Sequence, residues 1–444
     1  MRDSKREFIS LAISLGLILA LVANLFHGRL FAKADDTFDA ILVFTTALDK
    51  VQKDYVREVG TKELVEGALS GMLNSLDPHS SYIPPRMLKQ LKTDTEGEFE
   101  GVGMELTVPD RREGALIGPA NPLIVRRPFP GTPAFRSGII EGDRIMKVDG
   151  ETTTGMTIDE AVEKIKGPRG TKVVLTIDRM VGDANEPETF DVELVREKIP
   201  LYSVRHTEVT EDGIGYIGVA DFKEHTADEL KEKIGELEEK GMKALVLDLR
   251  YNPGGLLKSA AEVADLFLPK GDVIVSTKGR RPEDAMNFES EHDPILSKND
   301  APMAVLVNGY SASASEIVTG ALQENGRAIV VGSKTYGKGS VQTVIELQDD
   351  SALRLTTAYF YTPRGAQLSN NGIDPDIKIA LSLKDDIRLR QQLPDDSRPD
   401  EETGKKFEDV QLNEAITVLR GYVILARQEN DDSQTVEVSE VDSE

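Results

Sequence analysis

Two short segments near the middle of the 444-residue chain carry residue types that could work together in catalysis. The first, at positions 308–316, reads Asn-Gly-Tyr-Ser-Ala-Ser-Ala-Ser-Glu and places Ser313 in a turn of small residues. The second, at positions 337–342, reads Gly-Lys-Gly-Ser-Val-Gln, so that Lys338 follows Ser313 by 25 residues. A serine paired with a lysine predicts proteolysis in which lysine, rather than histidine, takes the proton from the nucleophile.

Ser313 lies where an apolar strand pattern ends and a helical pattern begins. The strand pattern stops at Val307, and the helical pattern runs from Glu316 to Gln323. A hydroxyl at the start of a helix lies beside backbone N–H groups that have no partner within the helix, and these groups can stabilise an oxyanion. Residues 313–316 also fit the S-x-x-E capping box, in which the serine only accepts an N–H bond. The turn by itself leaves both interpretations open.

Lys338 can act as a base only if its amine is uncharged near neutral pH. An ordinary lysine has a pKa of roughly 10.4, and burial beside apolar groups lowers it. If residues 338–347 form a strand, positions 338, 340 and 342 share one face, and the amide of Gln342 can orient the lysine amine. The alternative is a surface lysine between two flexible glycines.

The same region has a second interpretation as a phosphate-binding loop. Residues 332–338 fit the pattern G-x-x-x-x-G-K, but Gly339 occupies the position that needs a magnesium-binding Ser or Thr. The following residues, Ser340–Leu347, predict a strand, whereas a phosphate would need the N-terminus of a helix there. Nucleotide hydrolysis is therefore disfavoured.

The composition excludes several other classes of function. With 77 acidic residues against 53 basic ones, the net charge is −24, which disfavours general binding to nucleic acid phosphates. The sequence has no cysteine, so it can form no disulfide, thiolate nucleophile or cysteine-bound metal site, and its five histidines are scattered singly. We therefore predict that neither a metal nor a cofactor is required. His79, in an Asp-Pro-His-Ser turn, is interpreted as a structural residue rather than a base.

Residues 1–35 predict a signal peptide or a membrane anchor. Arg2, Lys5 and Arg6 precede an uncharged apolar run from Phe8 to Phe26, whose length is close to what a helix needs to cross a bilayer. Positive charge before such a run keeps its start in the cytoplasm. We therefore predict that the rest of the chain lies in the bacterial cell envelope, on the periplasmic side of the inner membrane. The triplet Ala-Lys-Ala at 32–34 offers a signal-peptidase site that would release the protein instead.

Helical regions are predicted near both ends of the remaining chain. Helical periodicity over Thr37–Tyr55 and Thr61–Leu76 makes residues 36–95 an N-terminal helical region. Residues 385–444 are charged; they predict one amphipathic helix over Val410–Arg427 and an acidic tail from Glu429 that does not fold alone.

Residues 96–185 resemble a PDZ domain of the bacterial type, an inserted α+β unit. Strand and turn signals alternate there: Ile145–Val148 predicts a strand that ends at an Asp-Gly turn, Ile158–Ile165 a helix, and Thr171–Ile177 a strand. A PDZ domain binds the last residues of a ligand as an additional strand, and the N–H groups of a glycine-rich loop hold the terminal carboxylate.

This resemblance implies that the peptide-binding residues are Gly101, Val102, Gly103, Met104 and Leu106. The glycines let the backbone approach the carboxylate closely, and the three apolar side chains line a pocket for the last side chain. The expected ligands are proteins that end in apolar residues. A plain turn entering a strand is the alternative.

Residues 186–384 predict a mixed β/α core with a nucleophile turn between a strand and a helix. Apolar strands at Gly215–Val219, Ala244–Arg250 and Met303–Val307 alternate with helices at Thr226–Glu239 and Lys258–Phe267. Ligands of such sheets gather where the strands end.

Together these segments resemble the C-terminal processing proteases, also called tail-specific proteases, from about Asp36 to Leu381. Several separated motifs occur in the order of that family. They are the Asp77-Pro78-His79-Ser80 turn, the PDZ unit, Asp248-Leu249-Arg250 with Asn252-Pro253-Gly254-Gly255, the Ser-Ala-Ser-Ala-Ser-Glu run, Gly337-Lys338-Gly339, Gln342, and Gly372-Ile373 with Pro375-Asp376.

The resemblance implies a role for each catalytic residue. It identifies Ser313, and not Ser311 or Ser315, as the nucleophile, because the family's interval between serine and lysine is the one from 313 to 338. It identifies Lys338 as the base and Gln342 as its orienting partner.

The resemblance also implies how the oxyanion is held. The donors would be the N–H of Ala314 and that of one glycine in the Asn-Pro-Gly-Gly turn, with Gly255 preferred to Gly254. Lys166 departs from the family pattern, which often has arginine there. A contact between the PDZ unit and the core that needs that guanidinium is therefore not expected.

The function implied is that of a serine endopeptidase that cleaves proteins near their C-termini and needs no cofactor. Its partners would be protein substrates, the membrane through the N-terminal apolar helix, and a second copy of the chain or an adaptor protein, but not nucleic acid. The alternative is a non-catalytic PDZ scaffold on the membrane that gathers envelope proteins without cleaving them.

Overall fold

The computed structural model describes residues 36–112, 114–180, 187–297, 301–392 and 407–441. The helices are α1 (36–54), α2 (Thr61–Asn74), α3 (Pro85–Glu96), α4 (Pro133–Arg136), α5 (Ile158–Ile165), α6 (Thr226–Glu239), α7 (Leu257–Asp265), α8 (Ala314–Glu324), α9 (Leu383–Gln392) and α10 (Val410–Val441). The strands are β1 (Ser81–Ile83), β2 (Glu98–Gly101), β3 (Met104–Thr107), β4 (Ile124–Pro128), β5 (Arg144–Val148), β6 (Glu151–Thr152), β7 (Lys172–Arg179), β8 (Glu188–Val195), β9 (Glu197–Pro200), β10 (Val204–Val209), β11 (Ile214–Val219), β12 (Ala244–Asp248), β13 (Val273–Gly279), β14 (Met286–Glu289), β15 (Met303–Val307), β16 (Ala328–Gly332), β17 (Ser340–Glu346), β18 (Ala352–Tyr361) and β19 (Ile377–Lys378).

The predicted membrane helix, Phe8–Phe26, and the signal-peptidase triplet lie outside the described residues. Within the described ranges, no helix combines the length and the apolar character that a membrane span requires.

The first of two units contains the described residues up to Pro84 together with Val344–Leu355. In this unit β1 pairs antiparallel with the start of β18. The preceding turn is fixed by Asp77, whose carboxylate accepts the N–H groups of His79 and Ser80 and the hydroxyl of Ser80, each at 2.8 Å. His79 is thus part of a turn built on hydrogen bonds.

The predicted PDZ unit, which belongs to the second unit, folds around the alternating residues of β7. Val173, Leu175 and Ile177 are fully buried, as expected for a strand with one covered face. The sheet order is β3-β4-β5-β7-β8, and β6 pairs with β5. Helix α5 has the predicted bounds and starts at a capping box formed by Thr157 and Glu160.

The PDZ unit joins the core through a two-stranded antiparallel ribbon. Strand β2 leads into the unit and β9 leads out of it, and the two pair from Glu98 opposite Pro200 to Gly101 opposite Glu197. The two ends of the inserted segment are therefore neighbours.

The core sheet has the order β10-β11-β12-β15-β16-β19, with β10 antiparallel at one edge and the other strands parallel. The central strands β12 and β15 are buried along their whole length, which explains their continuous apolar runs. Their carboxyl ends meet at the same edge of the sheet. There β12 leads into residues 249–255, and β15 leads into residues 308–313.

Helices cover both faces of this sheet. Helices α6, α7 and α8 pack on one face, and α10 packs on the other through Ala415 and Leu419, which are fully buried against residues such as Val246 and Leu306. The C-terminal helix starts at Val410 as predicted, but it continues past the predicted end at Arg427 into the acidic segment as far as Val441. Once packing has fixed the first turns of a helix, each further residue adds one hydrogen bond without a new nucleation step.

Candidate active site

The backbone turns sharply at Ser313, directly before α8. Ser313 has φ 56° and ψ −112°, a conformation that residues other than glycine rarely adopt and that costs on the order of 1–3 kcal/mol. A strained residue at a strand-to-helix turn places its side chain at the start of the helix, where the first N–H groups have no helical partner. The half-buried Ser313 is therefore in the position that the sequence predicts for a nucleophile.

The two neighbouring serines have structural roles. Ser311 and Ser315 are completely buried. The Ser311 hydroxyl donates to the carbonyl oxygen of Leu249 at 2.8 Å, and the Ser315 hydroxyl donates to that of Asn252 at 2.9 Å. Both serines therefore attach residues 308–313, here called the nucleophile loop after the predicted role of Ser313, to the segment that follows β12. Of the three serines, only Ser313 has an accessible side chain.

Glu316 connects the segment of Ser313 to that of Lys338. Its side chain is completely buried, and one oxygen, Oε2, accepts the backbone N–H of Ser313 at 2.8 Å and that of Lys338 at 2.9 Å. The other oxygen, Oε1, accepts the N–H of Gly337 and the hydroxyl of Thr335, both at 2.6 Å. A single carboxylate thus satisfies four donors and holds the two predicted catalytic residues side by side along their backbones.

The capping box is part of this arrangement. The Glu316 carboxylate reaches back to the N–H of Ser313, as in a capping box, while the backbone N–H of Glu316 bonds the backbone carbonyl oxygen of Ser313 at 2.9 Å. The cap and the nucleophile interpretation are therefore compatible, because the glutamate holds the serine through its backbone.

Lys338 precedes the strand in which it was predicted. Strand β17 begins at Ser340, so Lys338, which is half-buried, lies in the loop 333–339. The loop packs closely, since a Cβ atom on Gly339 would come within 2.0 Å of the backbone nitrogen of Ser369. The observed strand therefore begins two residues later than predicted, although the carbonyl oxygen of Gly339 still accepts the N–H of Phe360 on β18 at 2.8 Å.

Gln342 lies on β17, two residues after Ser340. Its Nε2 donates to the hydroxyls of Ser340 and Thr356, both at 3.0 Å. Ser340 and Gln342 share one face of the strand, as the period of two predicts. The amide is therefore fixed in orientation close to the loop that carries Lys338.

The Asn252–Gly255 turn packs directly against Ser313. A Cβ atom on Gly254 would come within 2.9 Å of the Cβ of Ser313 and 3.0 Å of the nitrogen of Ala314, so only glycine fits there. The N–H of Ala312 bonds the carbonyl oxygen of Asn252 at 3.1 Å. The turn and the start of α8 together surround the place where a substrate carbonyl oxygen would lie.

The hydrogen bonds distinguish between the two predicted glycine donors. The N–H of Gly254 is already used, because it donates to Asn252 Oδ1 at 2.9 Å. Phe222 forms a parallel bridge with Gly255: its N–H donates to the carbonyl oxygen of Gly254, and its carbonyl oxygen accepts the N–H of Leu256. The N–H of Gly255 therefore points away from Phe222. Among the described residues, no acceptor is bound to the N–H of Gly255 or to that of Ala314. This pair has the donors that an oxyanion needs.

A separate cavity of about 260 Å³ lies in the PDZ unit between β3 and α5. The predicted residues Val102, Gly103, Met104 and Leu106 line it, while Gly101 lies just outside the lining. Half of the cavity's remaining lining residues are apolar and half are polar or charged: Phe99, Phe129, Val162, Ile165 and Leu201 against Gln90, Thr93, Asp94, Glu105 and Lys166. Its position and lining are suited to an apolar side chain of a peptide that extends β3.

Lys166 and Arg196 link this cavity to the ribbon. The Lys166 ammonium lies 5.2 Å from the centre of the Phe99 ring, on β2. The buried Arg196, between β8 and β9, donates to the carbonyl oxygens of Lys164 and Ile165 at 2.9 and 2.8 Å. A guanidinium therefore caps the end of α5, although it comes from Arg196 rather than from position 166.

Comparison with known proteins identifies the family. The profile described as "Peptidase family S41" matches residues 213–379, "PDZ domain" matches residues 90–178, and "Activating protease CtpB N-terminal domain" matches residues 32–85. The carboxy-terminal-processing protease of Bartonella bacilliformis is 39% identical over 409 residues, which cover 87% of this chain and 90% of that protein. The chain belongs to the C-terminal processing proteases of peptidase family S41.

Other members of this protease family are similar over much of their length. The carboxy-terminal processing protease CtpA of Bacillus subtilis is 34% identical over 372 residues, 83% of this chain and 75% of that protein. Among solved structures, the photosystem II D1 C-terminal processing protease is 27% identical with a TM-score of 0.41, covering 76% of this chain and 92% of that one.

Sequence reasoning missed one main residue of this C-terminal processing protease. Glu316 was interpreted only as part of a helix cap, although its carboxylate binds Thr335, Gly337 and Lys338 as well as Ser313. The available signal was the presence of a glutamate in a helix whose other residues are mostly apolar. When such a helix is buried, its carboxylate needs several hydrogen-bond donors.

Proposed function

We propose that this protease is a serine endopeptidase that uses Ser313 and Lys338 to cleave proteins near their C-termini, after its PDZ unit has bound an apolar C-terminal segment. The observation that carries the proposal is the Glu316 carboxylate, which binds the backbones of Ser313 and Lys338 through the same oxygen. The N–H groups of Ala314 and Gly255 beside Ser313 support it further.

The reaction is an acyl transfer in two stages. The neutral amine of Lys338 takes the proton of the Ser313 hydroxyl while Oγ forms a bond to the substrate's carbonyl carbon, and the N–H groups of Ala314 and Gly255 stabilise the oxyanion. The C–N bond then breaks, and Lys338 returns the proton to the leaving amine. Water, deprotonated by Lys338, attacks the acyl-enzyme and releases the new carboxyl end. In this mechanism Gln342 keeps the lysine side chain oriented.

The PDZ cavity would select the substrate. Its apolar lining accepts the last side chain of a protein, and the N–H groups of Val102 and Gly103, which bind no acceptor among the described residues, can hold the terminal carboxylate. Substrates that end in apolar residues would therefore be cleaved in preference to substrates with charged ends.

The experiment that tests the proposal compares Ser313→Ala and Lys338→Ala with the parent on a protein that ends in apolar residues. We expect both variants to lose activity by a factor of about 10³ or more, because the nucleophile or its base is missing. Ser276→Ala, a half-buried serine on β13, is the control and should cleave like the parent.

Two results would contradict this proposal. Unchanged cleavage by Ser313→Ala would show that another group is the nucleophile. A parent protein that binds tailed substrates and never cleaves them would favour the scaffold instead.

We also propose that the catalytic part works in the bacterial envelope on the periplasmic side of the inner membrane. The apolar run Phe8–Phe26 after three basic residues supports this location. Fractionation of cells, with protease treatment of spheroplasts, tests it: the protein should be degraded from outside the inner membrane, and a protected protein would contradict the location.

A further inference from the structure

The segment after the core sheet contacts both loops that form the candidate active site. Residues 250 and 251 lie between β12 and the Asn252–Gly255 turn, and residues 308–310 begin the nucleophile loop. Side chains of α9 and of the start of α10 bind residues in both places. These side chains come after residue 379, where the match to the peptidase profile ends.

Arg250 forms the first of these contacts. Its guanidinium is completely buried and binds Asp409 at two points, Nη1 to Oδ1 at 2.9 Å and Nη2 to Oδ2 at 2.7 Å. Nη1 also donates to Gln411 Oε1 at 3.1 Å, and Nε donates to Asp248 at 3.0 Å. Asp409 in turn accepts the N–H of Leu412 in the first turn of α10. A buried ion pair therefore joins the start of α10 to Arg250, which lies two residues before the Asn252–Gly255 turn.

Tyr251 forms the second contact. It has a left-handed backbone with φ 60°, and its hydroxyl donates to Asp386 Oδ1 on α9 at 2.7 Å. Its N–H donates to Asn308 Oδ1 at 3.1 Å, and its ring stacks on that of Tyr310 with 5.5 Å between the centres. The Arg390 guanidinium, also on α9, lies 5.7 Å from the centre of the Tyr310 ring. Helix α9 thus holds one residue beside the turn and one residue in the nucleophile loop.

These contacts hold the backbone of Tyr251 in its strained conformation. A tyrosine in the left-handed region persists only where its surroundings fix it. If Tyr251 relaxed towards an ordinary conformation, the direction of the following Asn252–Gly255 turn would change, and with it the direction of the Gly255 N–H. The hydroxyl bond to Asp386 and the N–H bond to Asn308 oppose that relaxation from two sides.

We propose that four side chains form a C-terminal clamp: Asp386, Arg390, Asp409 and Gln411. The clamp acts through the positioning residues Arg250 and Tyr251. It aligns the Asn252–Gly255 turn with the nucleophile loop. This inference rests on the proposed serine protease mechanism for its effect on catalysis. Its structural part, the fixing of residues 249–256 by the clamp, holds independently of that mechanism.

The test uses Tyr251→Phe, Asp386→Asn and the double variant in the full-length protein. Each single variant weakens the same hydrogen bond, so we expect kcat to fall about tenfold with KM changed less than about twofold, and the double variant to be no worse than either single one. Tyr422→Phe, a half-exposed tyrosine on α10 outside the clamp, is the matched control and should behave like the parent. Asp409→Asn should lower kcat further, and Asp409→Glu should restore part of it.

A second measurement does not depend on catalysis. In a Ser313→Ala background, amide hydrogen exchange of residues 249–256 should become faster in Tyr251→Phe and Asp386→Asn, while exchange in the PDZ unit stays unchanged. If the parent does not cleave, the proposed function fails and this measurement alone decides on the clamp. If the parent cleaves but neither kcat nor exchange at 249–256 changes, the clamp is wrong and the protease mechanism remains. Faster exchange throughout the core, with a lower melting temperature, would also overturn the clamp in favour of a general loss of stability.

Discussion

At Ser313 a strained backbone and a buried carboxylate depend on each other. The conformation with φ 56° is unfavourable for serine, and the Glu316 carboxylate stabilises it by accepting the Ser313 N–H. The same carboxylate binds the N–H groups of Gly337 and Lys338, which come from a different part of the chain. The spacing between the backbones of Ser313 and Lys338 is therefore set by Glu316.

The first prediction concerns Glu316→Gln. Each carboxylate oxygen of Glu316 now accepts hydrogen bonds from two donors. In glutamine one of these oxygens is replaced by an NH₂ group, which cannot accept, so at least one buried donor would lose its partner. We expect the free energy of unfolding to fall by about 2–4 kcal/mol and kcat to fall by about 100-fold or more, measured by denaturant unfolding and by steady-state kinetics. Glu324→Gln, at the C-terminal end of the same helix, is the control; its half-buried carboxylate accepts the N–H of Arg364 and touches neither Ser313 nor the 333–339 loop. A variant that keeps the kcat of the parent would show that Glu316 does not align the site.

At this scale the sequence suggested a catalytic pair but not the residue that holds it together. The spacing of Ser313 and Lys338 raised the hypothesis, and the family resemblance selected Ser313 among the three serines of the turn. The role of Glu316 was hidden, since three of its four donors lie about 20 residues away along the chain and no local pattern indicates that they meet. The preference for Gly255 over Gly254 came from the family resemblance, and the bond between the Gly254 N–H and Asn252 adds a physical reason for it.

At the scale of single elements, α6 carries a half-buried acid that connects it to the chain leaving the ribbon. Glu229, in the first turn of α6, accepts the N–H groups of Ser203 and Val204 at 2.8 and 2.9 Å. Burial raises the pKa of Glu229 above its ordinary value of 4.5, although these two N–H bonds act in the opposite direction. The folded protein therefore binds this proton more tightly than the unfolded chain does.

The second prediction is a pH dependence of stability that Glu229 causes. Because its pKa is raised in the folded state, its favourable contribution is present at low pH and is lost as the pH rises above 4.5 through the raised value. The free energy of unfolding of the parent minus that of Glu229→Gln should therefore decrease over this range, as measured by denaturant unfolding at several pH values. Glu239→Gln, exposed at the end of α6, controls for the loss of one charge. A difference that grows as the pH rises would contradict the prediction.

Elements were predicted well where one face is buried by near neighbours and less well elsewhere. The pattern of α5 gave its bounds correctly, because its apolar residues face a cavity and a sheet of its own unit. The role of α10 was not predictable from its pattern alone. Its buried residues Ala415 and Leu419 pack on strand residues from Ile214 to Val331, which lie far earlier in the chain, and local periodicity carries no information about such distant partners.

At the scale of the whole molecule, the β2–β9 ribbon makes the PDZ unit an insertion whose two ends lie side by side. Gly101 and Glu197 face each other as register partners, so the 95 residues between them leave and return at one place. Phe99 on the ribbon and Leu201 just after it also line the cavity of the PDZ unit. Two residues of the connection to the core are therefore also part of the candidate binding site.

The third prediction follows from this arrangement. Replacing residues 102–196 with a two-residue Asn-Gly turn would close β2 and β9 into a hairpin and leave the core sheet unchanged. We expect KM for a substrate with an apolar tail to rise about tenfold or more, with kcat little changed, so that tailed and tailless versions of one substrate are cleaved equally. The measurement is steady-state cleavage of the matched substrate pair. A deletion variant that still prefers the tailed substrate would show that another surface recognises the tail.

The position of α10 also determines which part of the chain can form a stable fold by itself. Arg250 is completely buried with Asp409 as a partner, and Ala415 and Leu419 cover one face of the core sheet. A fragment that stops before Asp409 would leave the guanidinium buried without that carboxylate and would expose strand residues such as Val246 and Leu306 to water. The region that the peptidase profile matches, which ends at residue 379, is therefore not expected to be a stable folding unit when it is isolated.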